Sequence, residues 1–205
     1  MIVIIDYGMG NLRSILMKFK RIKAEAIISA APADIERADK LILPGVGYFA
    51  AGMKNLRDSG LIPVLNKKVL KCHIPLLGIC LGMQLLTKFS EEGDSAGLGW
   101  IDAVTKKFHF PVPQDKLRIP HMGWNTIDKK RESVLLDGIF PDNRFYFAHT
   151  YAVSCNDNSD IVAATRYGYE FASIVQKGNI YGTQFHPEKS HFHGLKLIDN
   201  FVRLT

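Results

Sequence analysis

The sequence predicts an α/β protein: an open, mostly parallel sheet flanked by helices, with a mixed or antiparallel β extension in its second half. Two textures carry this expectation. Up to Gly97, apolar runs of strand length alternate with amphipathic stretches of helix length, whereas beyond it β-prone segments follow one another between Gly, Asn, Asp and Pro signals. Length adds a third constraint, since 205 residues suffice for a single domain spanning 1–205 and are too few for two comfortable ones.

In order, IVIID (2–6) reads as a strand, LRSILMKFKRI (12–22) as a helix, AIIS as a short strand and KLILPG (40–45) as a strand. LIPVLNKKVL (61–70) reads as a helix, PLLGI (75–79) as a strand and LGMQLLTKF (81–89) as a helix. Such alternation implies parallel strands with helices on both faces. The later β-prone segments are WIDAVTKKF, KLRIPHMGWNTI, RFYFAHTYAVS, IVAATRYG, FASIVQKG and NIYGTQF. GLKLIDNFVRL then returns to helical spacing at the end.

Composition excludes several classes. No window has the uninterrupted apolar length of a membrane span, and the start, MIVIIDYGMG, lacks the basic and apolar regions of a secretory signal, so a cytoplasmic location is expected. The formal charge of +6 comes as scattered clusters with no arginine-rich stripe, which reads as a solvated face and not a nucleic-acid footprint. Cys72, Cys80 and Cys155 are odd in number, widely spaced and without a C-x-x-C pair, which argues against disulfides and a zinc ribbon. H-F-H at 191–193 is a weak ligand pair, so no metal and no cofactor is expected.

One cysteine stands out. G-I-C-L-G at 78–82 is the thiol counterpart of the nucleophile elbow, in which a strand turns sharply into a helix and glycines two positions either side avoid collision. The turn would lift the Cys80 sulfur toward solvent at the carboxyl end of a parallel strand and at a helix N-terminus, which favours thiolate. The bland reading is a packing cysteine between glycines. A thiol nucleophile needs a base and an orienting group, and the strand-like run NIYGTQFHPEKS (179–190) supplies His186 and Glu188, two residues apart and on one side if the backbone is extended. Taken alone, H-P-E is a strand-ending loop with a surface carboxylate. LILPGVGYF (41–49) runs a strand into two glycines and leaves the amides near Gly45, Val46 and Gly47 free for a developing oxyanion, with the Leu81 amide as the other donor. Read alone, P-G-V-G is a turn after a strand. Gln84, one helical turn after Cys80, shares its face; its bland reading is an exposed helix glutamine.

These pieces, in the order PGVG, GICLGMQLL and QFHPEKS, resemble the class I (triad-type) glutamine amidotransferases over nearly the whole chain. Within that family, DYGMGNLRS, RIPHMGWN (118–125) and YFAHTY (146–151) are similar to the glutaminase subunits of imidazole glycerol phosphate synthases, which serve a separate cyclase subunit in histidine biosynthesis. KLRIPHMGWNTI and HFHGLKLIDNF look closer to paralogous glutaminases found beside sugar-modification genes, which feed a cyclase-like partner making an amidino sugar. The resemblance implies a flavodoxin-like sheet, a Cys80–His186–Glu188 triad, and L-glutamine as substrate. It further implies glutamine contacts from Gly47 and Gln84, with His149, Thr150 and Tyr151 holding the α-carboxylate and α-amino ends. The family more often has serine at the position of Thr150. With no P-loop and no G-x-G-x-x-G after a strand, ammonia made here is used on another chain, and Asn11, His121, Met122, Trp124 and Lys189 are the expected docking residues in a heterodimer. For Trp124 a buried core role competes with the interface role. Other classes stay open at this point: a different thiol hydrolase, a thiol-based sensor, or a catalytically silent regulatory homologue.

Overall fold

The computed structural model describes residues 1–110, 117–140 and 143–204. The elements run β1 (Ile2–Ile5), α1 (Leu12–Arg21), β2 (Ala26–Ser29), α2 (Pro32–Arg37), β3 (Lys40–Leu43), α3 (Phe49–Asp58), α4 (Ile62–Asn66), β4 (Leu76–Ile79) and α5 (Leu81–Leu85). There follow β5 (Phe89–Ser90), β6 (Ser95–Ala96), β7 (Ala103–Lys107), β8 (His121–Asn125), β9 (Asp128–Lys129), β10 (Phe145–His149) and β11 (Tyr151–Cys155). The last are β12 (Ile161–Tyr167), β13 (Tyr169–Lys177), β14 (Ile180–Thr183) and α6 (His191–Arg203).

The main sheet has the order β2-β1-β3-β4-β14-β13-β11-β7-β5-β6, with β12 and β9 attached beside β13. From β2 to β14 every neighbouring pair is parallel, and from β14 through β13 and β11 to β7 every pair is antiparallel. The parallel half and its antiparallel extension thus match the two textures of the sequence. Strands β8 and β10 form a separate antiparallel pair.

Period-two alternation decides what each strand buries. Ile4, Ile42, Leu77 and Ile79 face the layer that holds α1 and α6, where Phe19, Leu197 and Phe201 join them. Val3, Ile5, Leu41, Leu43 and Leu76 face the opposite layer, against Phe49, Leu56, Leu65 and Met83 of α3, α4 and α5. Each of these large side chains, fully withdrawn from water, contributes about 1.5–3 kcal/mol before entropy is counted.

The structure departs from the sequence reading in several places. Helices α2 and α3 lie in stretches where no element was expected; α2 has Pro32 at its start, and α3 begins where Glu92 accepts from the Phe49 amide (2.8 Å). The helix expected over 61–70 is α-helical only to Asn66 and finishes as a π turn, Lys67–Lys71. The helix expected over 81–89 stops at Leu85, because the Leu85 and Leu86 carbonyls turn to accept from Leu98, Trp100 and Ile101, and Phe89 enters β5. Within KLRIPHMGWNTI only His121–Asn125 is strand, and its first residue, Lys116, lies outside the described residues.

The sharp turn from β4 into α5 is the tightest point of the packing. A Cβ on Gly82 would stand 1.8 Å from the Leu43 carbonyl oxygen, and one on Gly78 would stand 2.8 Å from Gly82 backbone atoms. No side chain can yield there, since both obstacles are main chain. Gly82→Ala should therefore lower the unfolding free energy in urea by about 3 kcal/mol or more; a loss under about 1 kcal/mol would show that the two elements can separate freely.

Candidate active site

Cys80 sits at the turn with φ 54° and ψ −108°, a conformation costly for any residue with a side chain. Its amide donates to the Thr183 carbonyl of β14 (2.8 Å) and its own carbonyl accepts from Gln84 N (3.2 Å), so both flanking elements hold the strained residue. The expectation of a solvent-lifted sulfur needs correction: Cys80 is only 6% exposed. It lies at the floor of a cavity of about 550 Å³ lined also by Asn11, Val46, Gly47, Leu81, Gln84, His149, Thr150, Tyr151, His186 and Lys189. The elbow aims the sulfur outward, and the surrounding loops wall it in.

His186 stands three residues beyond the end of β14 in extended conformation, and Glu188 stands on a single 3-10 turn, Pro187–Lys189, not on a continuing strand. The turn still brings them together. His186 Nδ1 lies 2.8 Å from Glu188 Oε1, both residues being buried. The His186 amide donates to Tyr146 O (2.9 Å), while Ser190 Oγ donates to His186 O (2.6 Å) and accepts from Tyr146 N (3.0 Å), which fixes His186 against β10. Burial pulls the His186 pKa down, but hydrogen bonds to Cys80 and Glu188 and their negative charges more than offset it, raising it from 6.5 to about 9. The ring thus holds its proton beside the sulfur at neutral pH.

The PGVG loop is anchored at one end. The Tyr7 hydroxyl, its pKa pushed up by burial and by the charge of Cys80, stays protonated and donates to the Pro44 carbonyl (2.6 Å). Gly45 is buried under Tyr7 and Leu81, where a Cβ would meet the Tyr7 oxygen at 2.6 Å. Val46 and Gly47, the latter at φ +115°, line the cavity. Leu81 opens α5, so its amide belongs to the first turn, where N–H groups have no intrahelical partner.

Gln84 and His149 line the cavity with their polar atoms largely committed to the protein. Gln84 is buried, not an exposed helix residue; its Nε2 donates to Tyr151 O (2.9 Å) and to Gln184 Oε1 (3.0 Å). His149 Nδ1 lies 2.8 Å from the same Tyr151 carbonyl, and its Nε2 lies 3.1 Å from His121 Nδ1. Burial pulls His149 down to about 3 and His121 to about 4, so both rings are neutral. A carbonyl only accepts; His149 therefore carries its proton on Nδ1, and His121 donates from Nδ1 to His149 Nε2.

His121 is also a correction to the expected docking face. It is 3% exposed, stacked on Tyr167 (centroids 3.9 Å apart) and on Phe147 (4.8 Å). Strand alternation explains this, because Met122 and Trp124, at 63% and 44% exposure, point the other way along β8. Asn11 and Lys189 are exposed as expected, at the cavity rim. Trp124 is partly exposed and stacked on His191, with ring planes 5° apart.

Sequence reading passed over Glu92, which lines the cavity, and Gln184, whose Nε2 lies 3.8 Å from Cys80 Sγ. Gln184 was inside a quoted motif, two residues before His186. Glu92 lay in a polar loop with no pattern to mark it. A wider depression of about 710 Å³ lies elsewhere, lined by Lys106, Phe108, Cys155 and Phe171. Burial pushes its Cys155 thiol up to about 12, which disfavours the thiolate there. Among the described residues no three His, Cys, Asp or Glu side chains are grouped to hold a metal ion, and no helix is long and apolar enough to cross a membrane.

A thiol elbow paired with a carboxylate-oriented histidine, on a parallel α/β sheet, defines a class of protein that comparison identifies. Residues 3–204 match the model of the family "Glutamine amidotransferase class-I", and the chain belongs to that family. Within it, the chain is 53% identical, over 99% of both chains, to imidazole glycerol phosphate synthase subunit HisH 2 of Methanococcus maripaludis. It is 48% identical to subunit HisH 2 of Pseudomonas aeruginosa and 43% identical to subunit HisH of Leptospira borgpetersenii, over the full length of both chains in each case. Among solved structures, one titled as a glutamine amidotransferase superposes with a TM-score of 0.75 at 21% identity over 97% of this chain and 96% of that one. A glutamine amidotransferase from Thermotoga maritima superposes with a TM-score of 0.65 at 18% identity over 99% and 98%. These two support the fold.

Because the His186 pKa is raised on folding, the stability it contributes is full below pH 6.5 and is lost as pH rises through about 9. The difference in urea stability between the parent and His186→Gln should shrink across that window. The ring's Cε1–H NMR signal should titrate near the upper value; a midpoint near 6.5 would refute the pairing.

Proposed function

We propose that this chain is the glutaminase subunit of an imidazole glycerol phosphate synthase. It hydrolyses L-glutamine to glutamate and ammonia and supplies the ammonia to a cyclase-type subunit in cytoplasmic histidine biosynthesis. The observation that carries the chemistry is the convergence of Cys80, His186, the Val46–Gly47 loop and the 149–151 segment on one cavity, with Glu188 2.8 Å behind the base. The pathway rests on the shared name of the full-length relatives, and none of the three described above is named for sugar modification.

In this reading the Cys80 sulfur attacks the side-chain carbonyl carbon of glutamine. The carbonyl oxygen becomes an oxyanion, which accepts from the Leu81 amide and from amides of the Gly45–Gly47 loop. The C–N bond breaks as the imidazolium of His186 gives its proton to the departing nitrogen, so ammonia leaves and a thioester remains. Water then attacks the thioester and His186 takes its proton; the C–S bond breaks with the sulfur leaving as thiolate, glutamate is released, and the thiolate–imidazolium pair is restored. Glu188 keeps the ring oriented and balances its charge throughout.

The α-ammonium of the substrate is assigned to Glu92, the one carboxylate among the described residues lining the cavity, one of whose oxygens already receives the Phe49 amide (2.8 Å). Thr150, Tyr151 and Gly47 frame the rest of the glutamine. Asn11, Met122 and Lys189 line the cavity and Trp124 is exposed near Met122 on β8, so a cyclase subunit seated over them would receive ammonia before it reaches bulk water.

In a complex with a histidine-pathway cyclase, Cys80→Ala should abolish synthesis driven by glutamine and keep synthesis driven by ammonium salt. Loss of both in a complex that still assembles would refute the donor role. Cys72→Ser and Cys155→Ser should retain activity. Glu92→Gln should raise KM for glutamine about ten-fold with a smaller effect on kcat, the size expected for one charge-assisted contact; an unchanged KM would remove Glu92 from the substrate site.

A further inference from the structure

We propose that Gln184 belongs to the catalytic machinery. Its side-chain nitrogen, aimed by a directed chain of hydrogen bonds that starts at the Tyr151 carbonyl, donates to the Cys80 sulfur and stabilises it as the attacking anion. The inference deepens the glutaminase reading above and rests on it.

The direction of the chain follows from one group that can only accept. Tyr151 O receives Gln84 Nε2 at 2.9 Å, so Gln84 must present its nitrogen there, and the second hydrogen of that nitrogen goes to Gln184 at 3.0 Å. Gln184 must then present Oε1 to Gln84. Its Nε2 is left facing Cys80 Sγ at 3.8 Å, within range of a bond to sulfur. Rotating Gln184 by half a turn would set nitrogen against nitrogen, and rotating Gln84 to relieve that would set oxygen against the carbonyl. Both flips are closed.

Gln184 is fully buried at the end of β14, and among the described residues no acceptor other than the sulfur is within reach of its Nε2. A thiol is a weak acceptor and a thiolate a good one, so the arrangement favours the charged form. The other groups facing the sulfur are the His186 ring, the Ala148 carbonyl at 4.0 Å and, beneath the PGVG loop, the Tyr7 hydroxyl. His186 and Gln184 are the donors among them that meet the sulfur directly. His186 must give up its proton when ammonia departs, whereas Gln184 keeps its hydrogens through every step.

Gln184→Met preserves length and removes the donor. In a Cys72→Ser/Cys155→Ser background, alkylation of Cys80 by iodoacetamide between about pH 5 and 10 reads the thiolate directly. The inflection should move to higher pH in Gln184→Met, and in the complex kcat should fall about ten-fold while KM for glutamine changes less than about two-fold. As a check in a chain that keeps this residue, the Gln184 side-chain NH₂ resonances of ¹⁵N-labelled protein should shift when Cys80→Ala removes the sulfur. An unchanged inflection in folded Gln184→Met, or resonances indifferent to Cys80→Ala, overturns the proposal; if Gln184→Met fails to fold, the resonances decide. Neither alkylation nor NMR uses glutamine. A parent complex that hydrolyses no glutamine would therefore refute the glutaminase reading separately from the donor assignment.

Discussion

The close approach of α5 to the end of β3 governs the rest of the site. With the Leu43 carbonyl occupying the space of a Gly82 side chain, the helix starts immediately after Cys80 and lies against the sheet. That placement sets the direction of the sulfur, brings the Leu81 amide to the cavity, and puts Gln84 within reach of the Tyr151 carbonyl. Displacing α5 by the width of one methyl group would weaken all three at once. The strained φ of 54° at Cys80 is held by packing of this kind, as backbone strain at functional positions generally is.

Electrostatics then sorts three neighbouring histidines into two states. His186 has Cys80 and Glu188 against it and is raised; His149 and His121 have burial, aromatic rings and neutral polar groups, and are lowered. The neutral pair suits its position. An imidazolium at 149 would have no acceptor for a second proton where His121 now donates, and it would add positive charge that disfavours protonation of His186. From Asn125, whose Nδ2 lies 3.4 Å from His121 Nε2, to the Tyr151 carbonyl, the donors all run one way.

Much of this was legible in the sequence because it depends on local geometry. The two glycines around Cys80 and the strand-to-helix texture are properties of a few consecutive residues, and the parallel half followed from alternating apolar runs. What sequence hid was set by distant partners. The burial of Cys80 is due to the loop at residues 46–47 and the junction of β10 and β11 at 148–151, and Gln84 is inward-facing because Tyr151 O and Gln184 receive its amide. His121 was recoverable: in β8 it alternates with Met122 and Trp124, so the three cannot share one exposed face. Helix α2 escaped because it has only six residues and buries one apolar side chain, Ile35, and α3 because Ala50, Ala51 and Gly52 interrupt its apolar stripe. Glu92 escaped because only tertiary structure carries it to the start of α3.

The middle of the sheet is closed by its last strand. β14 runs parallel to β4 on one side and antiparallel to β13 on the other, pairing Ile180 with Leu76 across more than half the chain, and His186 lies three residues beyond its end. During synthesis the strand that carries Cys80 is made first, while the strand that fills the gap beside it, the Gln184 amide that faces the sulfur and His186 all emerge together much later. A nascent chain therefore carries an unreactive arrangement of Cys80 with an open edge at β4, a surface prone to pairing with other strands. Sheet completion and assembly of the reactive group are one late event, with the slow loop closure expected when paired segments are far apart in sequence.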